Sequence, residues 1–161
     1  MDANPTSLAN RLRLQLDGLP RVVAGKDESQ LRQEPASGQW SAFDQIAHLA
    51  RHQALFLDRV QLILDQPEPA MPPYRAEQDN EWAEWRQQSL TRIIGRLHAD
   101  RRRLADVVGR LSPEHLERVG VHGVFGAMPL AAWLEFFLAH AGHHLYVAFK
   151  RAHEVHEASG E

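Results

Sequence analysis

Apolar residues recur along this chain at three- and four-residue spacing over long stretches, separated by short segments that carry prolines and glycines. That period belongs to helices that each bury one stripe. The first such pattern covers residues 7–23, with Leu8, Leu12, Leu16 and Leu19 as its stripe and Thr6 as the predicted N-cap. Pro20 falls late in it and is expected to end or kink the helix. Residues 26–39 are polar, contain Pro35 and Gly38, and read as a loop with room for a helical turn. Ser41, three residues before Asp44, has the spacing of an N-cap and opens a second pattern reaching Asp65. Ile46, Leu49, Phe56, Val60 and Ile63 lie largely on one side of it.

Pro67, Pro69, Pro72 and Pro73 make residues 66–79 an extended connection, long enough to cross from one end of a bundle to the other. A third helix is predicted over 80–111, with Trp82, Trp85, Leu90, Ile93, Ile94, Leu97, Leu104 and Val108 apolar. At roughly 1.5 Å per residue it would span nearly 50 Å, so a bend is expected near Gly95. Ser112-Pro113-Glu114 starts a short helical turn, and residues 120–126 form a glycine-rich turn or short extended excursion. A strand over 119–125 is the one weak alternative to helix and loop. The last helix is predicted from Pro129, a favoured first-turn residue, to His153, followed by a frayed tail over 154–161. The expected fold is all-α: a four-helix bundle with a long crossover between its second and third helices. A chain of 161 residues is read as one domain, with its core at about 6–151.

Composition narrows the chemistry. Eighteen Lys and Arg against 21 Asp and Glu give a net charge of -3, which does not favour nucleic acid. Arg101-Arg102-Arg103 is read as a solvated helix face whose stems cover apolar surface. The chain has no cysteine, so disulfides, thiolate ligands and a cysteine nucleophile are excluded. A metal site must use His, Asp, Glu or backbone oxygen. The start, MDANPTSLANRLRLQ, has no signal-peptide character, and no stretch approaches the roughly 20 apolar residues of a membrane span. A cytoplasmic protein without a membrane role is expected.

The ten histidines are the most informative residues. His140 and His144, in LAHAGHHLYV, are four apart and project from one helix face. They sit among Trp133, Phe136, Phe137 and Val147, where unpaired imidazoles are costly and one metal would satisfy both. His48, in IAHLARHQ, is the proposed third ligand from another helix. Three protein ligands leave a coordination position open, as catalytic sites do. His143 lies about 100 degrees round from His144 and is assigned to packing or to support of a ligand. His52, one turn after His48, is a candidate proton shuttle because its ordinary pKa is near neutrality, or else a half-exposed surface histidine. His98, His115, His122, His153 and His156 lack such a constellation, and Glu135 either orients a ligand or faces solvent. No phosphate loop, Ser-His-Asp order or His-Glu-x-x-His motif is present.

Trp40-Ser41, IAHLARH (residues 46–52), the helix start at Met128 and Leu130, and HAGHH (residues 140–144) together resemble the DinB/YfiT-like superfamily over most of the chain, roughly 6–151. The resemblance implies a four-helix bundle, often a homodimer, holding nickel, zinc or iron on His48, His140 and His144. It also implies a reaction class: transfer of a low-molecular-weight thiol, mycothiol-dependent isomerisation, or metal-dependent hydrolysis. Ala141 stands where that pattern commonly has aspartate, and His52 where an acidic residue is frequent. Both changes alter the surroundings of the ligands.

Two functions stay open on these residues. One is an enzyme in which a divalent metal on neutral imidazoles activates a thiol or water toward a small-molecule substrate. The other is a non-catalytic metal- or ligand-binding sensor or stress bundle, with a metal-free bundle of core histidines as the blandest case. Trp82, Trp85 and the apolar coverage of the last two helices favour a homodimer.

Overall fold

The computed structural model describes residues 4–154; His156 and all but the first residue of the tail expected to fray lie outside them. Its elements are α1 (Pro5–Leu14), α2 (Leu19–Val22), α3 (Glu28–Leu31), α4 (Ala42–Asp65), β1 (Ala70–Met71), a 3-10 turn (Ala76–Gln78), α5 (Trp82–Gln87), α6 (Leu90–Val108), α7 (Pro113–Leu116), β2 (Val119–His122), β3 (Gly126–Pro129) and α8 (Leu130–His153). The four long helices α1, α4, α6 and α8 form the bundle: α6 packs on α1 and α4, and α8 on α4 and on α2.

The first helix starts earlier and stops sooner than its period suggests. Asn4, not Thr6, is the cap, its Oδ1 accepting from the Thr6 and Ser7 amides at 2.9 and 3.3 Å. Pro20 has no N–H to reach back four residues, so the Leu16 carbonyl takes the Leu19 amide instead, at 3.0 Å. Pro20 then serves in the opening turn of α2, where no donor is needed. α4 opens on a reciprocal cap: Ser41 Oγ accepts from the Asp44 amide at 3.1 Å and Asp44 Oδ2 from the Ser41 amide at 3.2 Å.

The helix expected over 80–111 is two helices, and the break is at Gln88–Ser89, not at Gly95, which lies inside α6. Tertiary partners make the break. Arg32 donates to the Arg86 and Gln88 carbonyls, each at 2.7 Å, while the Leu90 amide donates to Glu28 Oε2 at 2.9 Å. The backbone groups that a continuous helix would pair internally are thus taken by the side chains of Glu28 in α3 and of Arg32, its C-cap. The glycine-rich excursion is a β-hairpin, with β1 added parallel to β2 (Met71 opposite His122). Strands this short carry no alternation to read, which is why the bundle's small sheet was expected only as the weak 119–125 alternative. The last helix begins at Leu130, with Pro129 closing β3.

The core has two apolar halves. Leu8, Leu12, Phe56, Leu104, Trp133 and Phe137 belong to one; Leu16, Phe43, Leu49, Trp85, Leu97 and Ala148 to the other. Between them along each helix lies a polar layer. Arg101 is 2% exposed, not solvated as its arginine run suggested. It donates to Gln53 Oε1 and Gln15 Oε1, each at 2.6 Å, and lies over the Phe137 ring. Gln15 in turn donates to the Leu138 carbonyl at 2.8 Å. Trp85 is buried and Trp82 packs 5.3 Å from Trp40, so the tryptophans counted toward a dimer face are used within the chain. Among the described residues no helix is long and apolar enough to cross a membrane.

Candidate metal centre

α4 and α8 pack directly, and the polar layer's neighbours on their facing sides are histidines. The packing of α4 on α8 brings His48, in the second turn of α4, against His140 and His144, which stand one turn apart. Nε2 of His140 lies 3.4 Å from Nε2 of His48 and 3.1 Å from Nε2 of His144. One ligand atom from each of the three lies within 4.8 Å of the others. Metal–nitrogen bonds of about 2.05 Å in tetrahedral geometry place ligand nitrogens about 3.3 Å apart. The two spacings at His140 lie close to that value, and the three rings are near enough together to share one divalent ion.

Electrostatics favour the same use. Burial pushes His48 down to about 3 and His140 to about 4; the cost of a second charge beside His140 adds to the first shift, and His143 and then Arg59 to the second. His144 is pushed to about 2, again chiefly by burial. All three are neutral imidazoles at neutral pH, the form that ligates. His144 Nδ1 is held 2.6 Å from Gln45 Oε1. The amide oxygen can only accept, so Nδ1 carries the proton and Nε2 is left free toward the other rings. Nδ1 of His48 and of His140 has no such partner among the described residues. Gln45 escaped the sequence reading, although it is three residues before His48 and shares its face.

The crossover walls the site. Tyr74 stacks on His48 at 5.6 Å, and Trp40 and Trp82 lie 4.9 and 6.2 Å from the same ring. Tyr74 donates its hydroxyl to Asp79 Oδ2 at 3.0 Å, and Arg51 Nε of α4 donates to the same oxygen at 2.6 Å. This clamp fastens the proline-rich segment to the helix that bears His48. Arg51 holds Asp79 below its ordinary value, while burial, and then Asp79 itself, raise the Tyr74 phenol.

The remaining histidines separate cleanly. His52 is 4% exposed, not half-exposed; its ring centre is 4.2 Å from that of His140 and it stacks on Phe137. Burial holds it neutral, and its Nδ1 has no partner among the described residues. His143 is exposed and stands edge-on to His144, outside the trio. His122 is structural: its Nδ1 accepts from the Val124 and Phe125 amides at 3.0 and 3.1 Å and closes the hairpin. His115 caps α7, and His153 meets the Val22 carbonyl. Glu135 faces solvent in a salt bridge with Arg11, away from the ligands. A cleft of about 670 Å³ reaches His144 and Gln45 between Trp40, Tyr146 and Lys150.

A helical bundle with three imidazoles converging between two of its helices is the class that fold and site define. The chain belongs to the DinB superfamily, whose family model matches residues 11–148. It is 27% identical over 140 residues to an Oceanobacillus iheyensis protein named "Putative metal-dependent hydrolase", covering 81% of this chain and 78% of that one. Among solved structures it superimposes on YfiT from Bacillus subtilis with a TM-score of 0.79, over 91% of this chain and 86% of that one, at 20% identity. YfiT is described as "a probable metal-dependent hydrolase with an unusual four-helix bundle topology". That second likeness is one of fold, and it agrees with the four-helix bundle expected from the sequence.

Proposed function

We propose that the protein is a metal-dependent enzyme in which His48, His140 and His144 hold one divalent cation, nickel, zinc or iron. The observation that carries this reading is the convergence of three neutral ring nitrogens at ligand spacing, one of them oriented by Gln45. A cation there lowers the pKa of a bound water or thiol enough to make it a nucleophile near neutral pH. Among the described residues no carboxylate or fourth histidine joins the trio, so a coordination position stays open, which favours catalysis over a sensor or purely structural role.

The protein's own residues do the rest. The three imidazoles stay neutral, so the charge of the cation is undiminished. Gln45 keeps the His144 proton on Nδ1. Trp40, Tyr74 and Trp82 exclude water from the His48 side. The names of the relatives support hydrolysis; transfer of a low-molecular-weight thiol is the alternative that the family resemblance supports, and the cleft beside His144 has room for a small-molecule substrate. His52 is assigned a proton relay next to His140. A relay requires that His52→Asn change the pH profile of turnover at unchanged metal content; loss of metal instead makes it a packing residue. A cytoplasmic homodimer that binds no nucleic acid completes the proposal.

Metal content by mass spectrometry on untagged protein tests the reading. Wild type is expected to hold about one ion per chain, and the His140→Ala, His144→Ala double variant none. Equal or negligible metal in both returns these histidines to the core.

A further inference from the structure

The carboxylate at the wall of the histidine centre, Asp79, is taken up by Arg51 and Tyr74, and no carboxylate joins the three rings themselves among the described residues. Arg59 itself is unusual. It is half-buried, donates from Nη2 to the Pro72 carbonyl at 2.6 Å, and has no ion-pair partner among the described residues. A guanidinium has five donors, and one carbonyl leaves most of its fork unused.

Its position ties it to the centre. His48, His52, Leu55 and Arg59 follow one another at spacings of four, three and four, along one face of α4. Arg59 starts about 10 Å past His52 along the axis, and its guanidinium is held at the Pro72 carbonyl, in the same crossover that brings Tyr74 against His48. The Pro72 carbonyl that it holds follows Met71, which stands opposite His122 of the hairpin, and the His122 ring lies 4.7 Å from Phe125 and 6.1 Å from Phe136. An aromatic edge spans the same region: Phe125, 56% exposed, lies 5.5 Å from Phe136, which lies 6.2 Å from His140.

We propose that the centre takes a small carboxylate-bearing substrate, whose carboxylate is received by Arg59 and whose apolar part lies against Phe125 and Phe136. The inference rests on the metal reading above. A divalent cation on three neutral ligands beside an unpaired guanidinium is a concentration of positive charge that an anionic substrate neutralises. The planar fork of arginine matches a carboxylate with two parallel hydrogen bonds, which lysine cannot do. Arg59 is a binding residue here, and metal uptake does not depend on it.

The test uses the full chain loaded with cobalt(II), whose visible absorption reports its surroundings, titrated with phenylacetate and, separately, with benzyl alcohol. Phenylacetate is expected to perturb the spectrum and the neutral alcohol not. Arg59→Gln is expected to weaken phenylacetate by about tenfold or more, the worth of a charge-assisted pair, at unchanged cobalt stoichiometry. Arg59→Lys, which preserves charge if Gln disturbs folding, is expected to recover part of it. Failure to take up cobalt overturns the metal reading and this inference with it. Normal uptake with no response to phenylacetate, equal response to benzyl alcohol, or equal affinity in Arg59→Gln overturns the inference alone.

Discussion

Replacing Gln45 by leucine removes one atom's function from the centre and leaves the ligands intact. Gln45 is 7% exposed and leucine is close to it in volume, so packing changes little. What is lost is the acceptor 2.6 Å from His144 Nδ1, the one contact that fixes which nitrogen of that ring carries the proton. In the variant the ring divides between tautomers and rotates more freely. Partners of this kind are worth about 10–100-fold in metal affinity, or about 1.4–2.7 kcal/mol. Competition of the purified protein against a chromophoric chelator measures that affinity directly, and circular dichroism confirms that the helices persist. Gln45→Glu keeps the acceptor and makes it anionic, so it is expected to bind metal at least as tightly as wild type. A Gln45→Leu affinity within twofold of wild type, with the fold intact, refutes the role given to this residue.

Three further outcomes follow from the fold. Arg101→Ala leaves the Gln15 and Gln53 oxygens unpaired and opens a void over Phe137, so thermal denaturation is expected to show a loss of about 3 kcal/mol; a loss below about 1 kcal/mol contradicts the polar layer's part in stability. Gly120→Ala would put a methyl group 2.9 Å from Ile63 and 3.1 Å from Trp133 Nε1, costing about 1–3 kcal/mol and shifting tryptophan fluorescence; an unchanged melting temperature contradicts it. Asp79 is held below its ordinary value of 3.8, first by its hydrogen bond from Arg51, so its unfolded form takes up a proton before its folded form. Its contribution is therefore complete above pH 3.8 and is lost as pH falls through the lower folded value. The stability gap between wild type and Asp79→Asn is expected to close over that acid range, and a gap independent of pH would rule out the clamp as an ionic one.

The period of the apolar residues was enough to place α4, α6 and α8, because each buries a stripe through more than four turns and the stripe is written locally. Spacing and apolar surroundings likewise singled out His140 and His144 as candidate ligands, since two rings one turn apart face the same way wherever the helix goes, with His48 as the candidate third. Tertiary contacts decided the rest. Ser89 starts a new helix because Arg32 and Glu28, some 57 to 61 residues earlier by the numbering, take the backbone groups around it. Arg101 is buried because Gln15 and Gln53 meet it from two other helices, whereas its neighbours Arg102 and Arg103 face solvent. Gln45, Tyr74 and Asp79 enter the site only once α4, α8 and the crossover are brought together. A local sequence determines which way a side chain points from its own helix; what stands opposite it, and therefore its charge state and its partners, is decided by how the helices pack.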